Sequence, residues 1–128
     1  MGQFNYFSDE EVKGLDREFV ARLDMARHQA EIPFVITSGF RTPEDNLKVG
    51  GVPNSSHTKG LAVDLRCKSS NELWKILDGL YSVSFKRIGI YHTVSPEGKI
   101  IPAHIHVDCD QELPQEVVWL LMEGEHSG

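Results

Sequence analysis

SGFRTPEDNLKVGGVPNSSHTKGLAVD, Ser38 to Asp64, is the stretch whose reading decides the fold. It separates two strand-like segments, Phe34–Thr37 and Leu61–Leu65, and is polar along most of its length. Long polar loops inside compact domains are uncommon, and those that occur are functional or disordered. The turn chemistry argues for order, because Gly39, Pro43, Gly50-Gly51, Pro53-Asn54 and Gly60 punctuate the loop with residues suited to special backbone angles. Thr42-Pro43-Glu44-Asp45 reads as an N-cap followed by proline at the first helical position. Gly50-Gly51 and Pro53 keep that helix short. The loop closes on His57 and Asp64, and is expected to deliver Arg41, His57 and Asp64 to one place.

A second stretch, HIHVD from His104 to Asp108, answers it. Alternate residues of a strand share a face, so His104, His106 and Asp108 project together while Ile105 and Val107 point to the core. The same parity sets Asp64 on the polar face of its own strand, opposite Leu61, Val63 and Leu65. With both strands in one sheet, an Asp and two His converge beneath the loop that carries His57. Three ligands of His and carboxylate type, with a fourth position left to water, form the pattern of a catalytic zinc site. His57, Asp64 and His106 are the expected ligands. Extending the parity places Cys67 and Cys109 among core residues, as small buried hydrophobes rather than ligands.

Working outward, Ser8 and Glu11 read as a capping box opening a helix. Apolar Val12, Leu15, Phe19, Leu23 and Ala26 continue it to about Gln29, with His28 on the solvated side. Ser69 or Ser70 caps a second long helix, about Asn71–Leu80, that buries Leu73, Ile76, Leu77 and Leu80 and leaves Trp74 in the core or at its rim. Lys86–His92 and Lys99–Ile101 flank the turn-like Ser95-Pro96-Glu97-Gly98 as a hairpin whose second strand resumes over Ala103–Val107. Pro114 suits the first turn of a closing helix through Val117–Met122. The tail from Glu123 is expected to fray, which leaves His126 uninformative. The architecture this predicts is α+β: a small, mostly antiparallel sheet with helices on one face and the metal cleft on the other. One domain over residues 1–128, with its core from about 7 to 122, accommodates all of it.

Composition narrows the function classes. The chain has 40% apolar and 25% charged residues, ordinary values for a globular domain, and a net charge of -6. That acidity argues against a nucleic-acid partner. Two cysteines without a CxxC give no disulfide framework and no thiolate zinc site. No apolar run approaches the ~20 residues of a membrane span. MGQFNYFSDEEV carries acids where an export leader has a basic region, so synthesis in the cytoplasm is expected.

Taken together, SGFRTPEDN, VGGVPNSSHTKGLAVDL and HIHVD resemble the zinc D-Ala-D-Ala carboxypeptidase and peptidoglycan endopeptidase family. The likeness is closest to its small M15-type branch, known from phage lysins and bacterial genomes, and the hedgehog signalling domain shares the fold. The resemblance spans about Phe7 to Asp108 and centres on the SxHxxGxAxD pattern of Ser55, His57, Gly60, Ala62 and Asp64. It implies one Zn2+ per chain on His57, Asp64 and His106, and hydrolysis of a peptidoglycan peptide near a D-amino acid. It also implies a site of action at the cell wall if the chain is of phage or prophage origin. Arg41 matches the arginine that holds the substrate carboxylate or the transition-state oxyanion, a task suited to a guanidinium fork. Ser55 matches a hydroxyl that supports the site or touches substrate. Many relatives place an acid three or four residues before the last zinc histidine, where this chain has Ala103 and Pro102. His104 is therefore the first catalytic candidate, with Asp108 the alternative as base or as orienting partner of a ligand histidine, and His92 bordering the cleft. The rival implied reading is a zinc-stabilised binding module of the same fold that has lost hydrolysis.

Overall fold

A computed structural model describes residues 3–123. It is an α+β fold in the order α1 (Arg17–Ala30), β1 (Ile36–Ser38), α2 (Pro43–Lys48), a 3₁₀ turn (Ser56–Lys59), β2 (Ala62–Arg66), α3 (Ser70–Ser82), β3 (Arg87–Val94), β4 (Ile100–Asp108) and β5 (Val117–Met122). The sheet runs β1-β2-β4-β3-β5. Its first three pairings are antiparallel, and β3–β5 is parallel.

One face of the sheet holds the core. Val63 and Leu65 of β2, Ile88 of β3, and Ile105 and Val107 of β4 meet Phe19, Val20, Leu23 and Ala26 of α1 and Ile76 and Leu80 of α3. Each is almost fully buried, and burial of one such side chain contributes about 1.5–3 kcal/mol. The period-two pattern of β2 and β4 thus sends every second residue to the opposite face, where the polar groups collect. Cys67 and Cys109 are free thiols packed with this core, and burial pushes both up to about 11.

Local capping explains the helices. Asp16 Oδ2 accepts the Phe19 amide at the start of α1, Thr42 Oγ1 accepts Asp45 N for α2, and Ser69 Oγ accepts Glu72 N for α3. The reciprocal Ser8–Glu11 bonds of the capping box do form. They open turns rather than the long helix, because Gly14 lies at φ +82° with the Phe40 ring against it, and α1 begins only after Asp16. Two further expectations are corrected. Trp74 is 67% exposed on the outer side of α3, not core. The closing helix is instead strand β5, whose residues from Val117 to Met122 pair in parallel with Arg87 to His92. Of the expected frayed tail, Glu123 is tied down by its amide on the His92 carbonyl at 2.7 Å; His126 lies outside the described residues. No helix among the described residues is long and apolar enough to cross a membrane.

Candidate metal centre

The sheet register lines up the polar face. Asp64 of β2 stands opposite His106 of β4, His106 opposite Gly89 of β3, and Gly89 opposite Trp119 of β5. The 3₁₀ turn brings His57 over the Asp64 end of this row. One ligand atom each from His57, Asp64 and His106 lies within 4.8 Å of the others. Asp64 Oδ1 is 3.4 Å from His57 Nε2 and 3.1 Å from His106 Nδ1.

Both imidazoles are turned by acceptors behind them. The Nδ1–H of His57 donates to the Gly39 carbonyl at 2.8 Å, so its Nε2 lone pair faces the cluster. The Nε2–H of His106 donates to Asp108 Oδ2 at 2.7 Å, leaving Nδ1 for the cluster. Outer partners of this kind fix the tautomer and orientation of metal-ligating histidines. Two histidine nitrogens and one carboxylate oxygen suit Zn2+ and leave a fourth tetrahedral position open. The donor set therefore fits the metal that the sequence implies.

Charge at the cluster agrees. Burial works against protonating His106, yet hydrogen bonds to Asp108 and Asp64 outweigh it and push the imidazole up to about 9. Burial likewise opposes ionisation of Asp64, but the hydrogen bond from His106 and the neighbouring His57 imidazole hold its carboxyl far below the usual carboxylate range. In the metal-free protein a proton on His106 Nδ1 thus occupies the place a cation takes, and metal binding has to release it.

The two acids that follow His106 brace the site from behind. Asp108 is fully buried, and its oxygens accept from His106 Nε2, from Arg87 Nε at 2.8 Å and from the Asp110 amide at 3.0 Å. With these three donors and no exposure, Asp108 is placed to orient His106. Asp110, equally buried, accepts Ser56 Oγ at 2.8 Å and Lys59 Nζ at 2.9 Å, gripping both ends of the turn that carries His57. Burial raises its pKa, but Lys59, Ser56 and the Glu112 amide win and hold it low. Sequence reading missed Asp110. The signal was available, since His104, His106, Asp108 and Asp110 continue one period-two series.

The remaining expected residues divide. Arg41 is held beside the cluster by its amide on the His57 carbonyl at 3.1 Å. Its buried Nε has no hydrogen-bond partner, and among the described residues it makes no ion pair, neither with Glu44 nor with Asp45. Ser55 is buried, and its hydroxyl caps the turn by accepting the His57 amide at 3.2 Å. His104 stacks on Tyr91 with ring centroids 4.2 Å apart, and its Nδ1 is 3.5 Å from Glu123 Oε2. His92 stands past a register shift at Tyr91/His92 and makes no hydrogen bond or ion pair with the cluster among the described residues.

Trp119 is the second residue that sequence reading missed. Its indole lies over Gly89, where a Cβ would come within 2.5 Å of it, and its ring centroid is 5.6 Å from that of His106. A glycine inside a strand marks such a close approach. Arg87 covers the same indole at 4.9 Å. His106, Asp108, Arg87 and Trp119 therefore close a circuit around one ligand.

The Peptidase M15 family model matches residues 3–108, which include all three cluster residues, Arg41 and Asp108. The chain belongs to the Peptidase M15 family. Peptides are thus its substrate class, and His57, Asp64 and His106 form a cluster that could hold a metal ion. Among curated proteins, none matches the chain. β5, with Trp119 and Glu123 at and beyond it, lies outside the residues matched to M15.

Proposed function

We propose that this M15 peptidase is a zinc enzyme that hydrolyses bacterial cell-wall peptides at a bond next to a D-amino acid. One ion per chain would be held by His57 Nε2, Asp64 Oδ1 and His106 Nδ1. The observation that carries the reading is the convergence of these atoms with both imidazoles already turned by Gly39 and Asp108. Bound there, Zn2+ supplies a Lewis acid for the scissile carbonyl and a water that ionises near neutral pH.

The protein's own groups do the rest. Arg41, next to His57 and without an ion-pair partner among the described residues, binds the peptide's carboxylate or the oxyanion that develops at the scissile carbonyl. His104, on the same strand face as His106, handles protons at the reacting centre. Asp108 holds the His106 Nε2 proton, and Asp110 and Ser55 hold the His57 turn. If the chain is of phage or prophage origin, its site of action is the cell wall.

The test is mass spectrometry of purified muropeptides incubated with zinc-loaded protein, with and without a chelator. Chelator-sensitive loss of a terminal D-Ala, or a new internal cut, is the expected result and names the bond. Protein that holds zinc but cleaves nothing across a broad muropeptide set would refute the enzyme and favour a binding module of the same fold.

A further inference from the structure

An acid approaches β4 from the chain just beyond β5. Pro102 and Ala103, ahead of His104 on β4, carry no acid, Glu97 sits in the hairpin turn, and Asp108 is saturated and buried. Glu123, one residue beyond β5, faces His104 instead: its Oε2 lies 3.5 Å from His104 Nδ1. The backbone aims it there. β5 pairs with β3 so that Tyr91 stands opposite Leu121 and His92 opposite Met122, and the Glu123 amide closes the register on the His92 carbonyl. Trp119, Leu121 and Glu123 thereby share the face that carries His106 and His104. The imidazole is also fixed from its flat side, since Tyr91 stacks on it at an interplanar angle of 15°.

We propose that Glu123 is a positioning residue for the peptidase reaction, its carboxylate 3.5 Å from His104 Nδ1 favouring the proton on that nitrogen so that Nε2 is the nitrogen offered to substrate. This rests on the peptidase reading above. His104 Nε2 makes no hydrogen bond among the described residues, so the carboxylate and the Tyr91 ring set its direction between them. The arrangement is a looser counterpart, at the next residue on the same strand face, of what Asp108 does for His106 at 2.7 Å. There the acid is buried behind a ligand; here it is half exposed beside a side chain that is free to meet the peptide. The working site consequently extends past the segment matched to M15 and includes β5.

The test uses the full chain loaded with zinc, with Glu123→Ala, Glu123→Gln and Glu123→Asp compared on a cleaved muropeptide. Glu123→Ala should lower kcat by about tenfold or more, the usual effect of losing an orienting partner. KM and zinc content should stay near wild type, and Glu123→Gln, which keeps an acceptor oxygen, should recover part of kcat. Two-dimensional NMR of 15N-labelled histidines should show the His104 proton on Nδ1 in wild type and redistributed in Glu123→Ala. Unchanged kcat in an active Glu123→Ala protein, or a tautomer that does not respond, overturns the proposal while leaving the peptidase reading intact. Wild-type protein that binds zinc and cleaves nothing overturns the peptidase reading and the catalytic role of Glu123 with it. In that event the tautomer still decides whether the pair exists.

Discussion

Gly89→Ala tests whether Trp119 is locked against the metal centre. A Cβ at residue 89 would stand 2.5 Å from Cε2, 2.6 Å from Nε1 and 2.8 Å from Cζ2 of Trp119. Carbon atoms settle near 3.5–4.0 Å, so the indole has to withdraw by about 1 Å. It is not free to do so, because Arg87 lies 4.9 Å from the ring and His106 5.6 Å from it on the cluster side. Overpacking of this kind costs about 1–3 kcal/mol. Replacing glycine by alanine within a strand offsets about 0.5–1 kcal/mol of that. The net loss is about 1–2 kcal/mol, or about 4–8 °C in Tm for a domain of this size. In a Trp119→Ala background the obstacle is gone, and the same substitution should be neutral or slightly stabilising. The pair should then show a coupling of about 2 kcal/mol in a double-mutant cycle. Urea unfolding of the four chelator-treated proteins measures it, provided that the m-value is constant across the set. Equal destabilisation by Gly89→Ala in both backgrounds would show that the clash is relieved elsewhere and that the indole is not locked.

Three other expectations follow from the same centre. Asp108→Asn leaves Arg87 buried without its carboxylate, which should cost about 3–5 kcal/mol by denaturant unfolding; chelator competition should show zinc affinity down by about 10–100-fold. In the metal-free protein, His106 is raised from 6.5 to about 9, so its contribution to stability is complete below about pH 6.5 and is lost as pH rises through 9. Asp64, held low, contributes stability that is present above its ordinary 3.8 and is lost on strong acidification. Thermal melts should therefore find the metal-free protein most stable between about pH 4 and 6.5, whereas zinc affinity should rise with pH because the His106 proton must leave; a pH-independent affinity contradicts the assignment of Nδ1. Arg41→Ala would remove the charge-assisted hydrogen bonds proposed to the substrate, worth about 1.5–3 kcal/mol, and should lower kcat/KM by about 10–100-fold with zinc content unchanged, as steady-state kinetics and metal analysis will show.

The centre was legible where the code is local and periodic. Strand parity alone set His104, His106, Asp108 and Asp64 on one face, and β2–β4 pairing delivers that face in the expected register. The short helix after Thr42 and the cap at Ser69 followed from side-chain oxygens that satisfy nearby amides. What failed was set by distant chain. Val117–Met122 has no strict alternation and follows a proline, so its local pattern suits a helix; parallel pairing with β3, a contact far away in sequence, makes it a strand. Trp119 and Glu123 became invisible with it. The capping box at Ser8 was read correctly as chemistry and wrongly as the start of a long helix, because the Phe40 ring packed on Gly14 is a tertiary event. Asp108 shows the converse limit. Parity gave its face, but burial and the Arg87 pairing, which decide what it can do, arise only when β3 and β4 meet.

The two histidines of the centre are held in unlike currencies. His57 is aimed by a main-chain carbonyl, Gly39 O, which every residue at that position possesses. His106 is aimed by a relay of side chains, Asp108 backed by Arg87, and each of these is one base change from loss. Mutational drift therefore erodes the centre from one side. A descendant that abandons catalysis should forfeit the orientation of His106 first, while the His57 half persists for as long as the loop keeps its path.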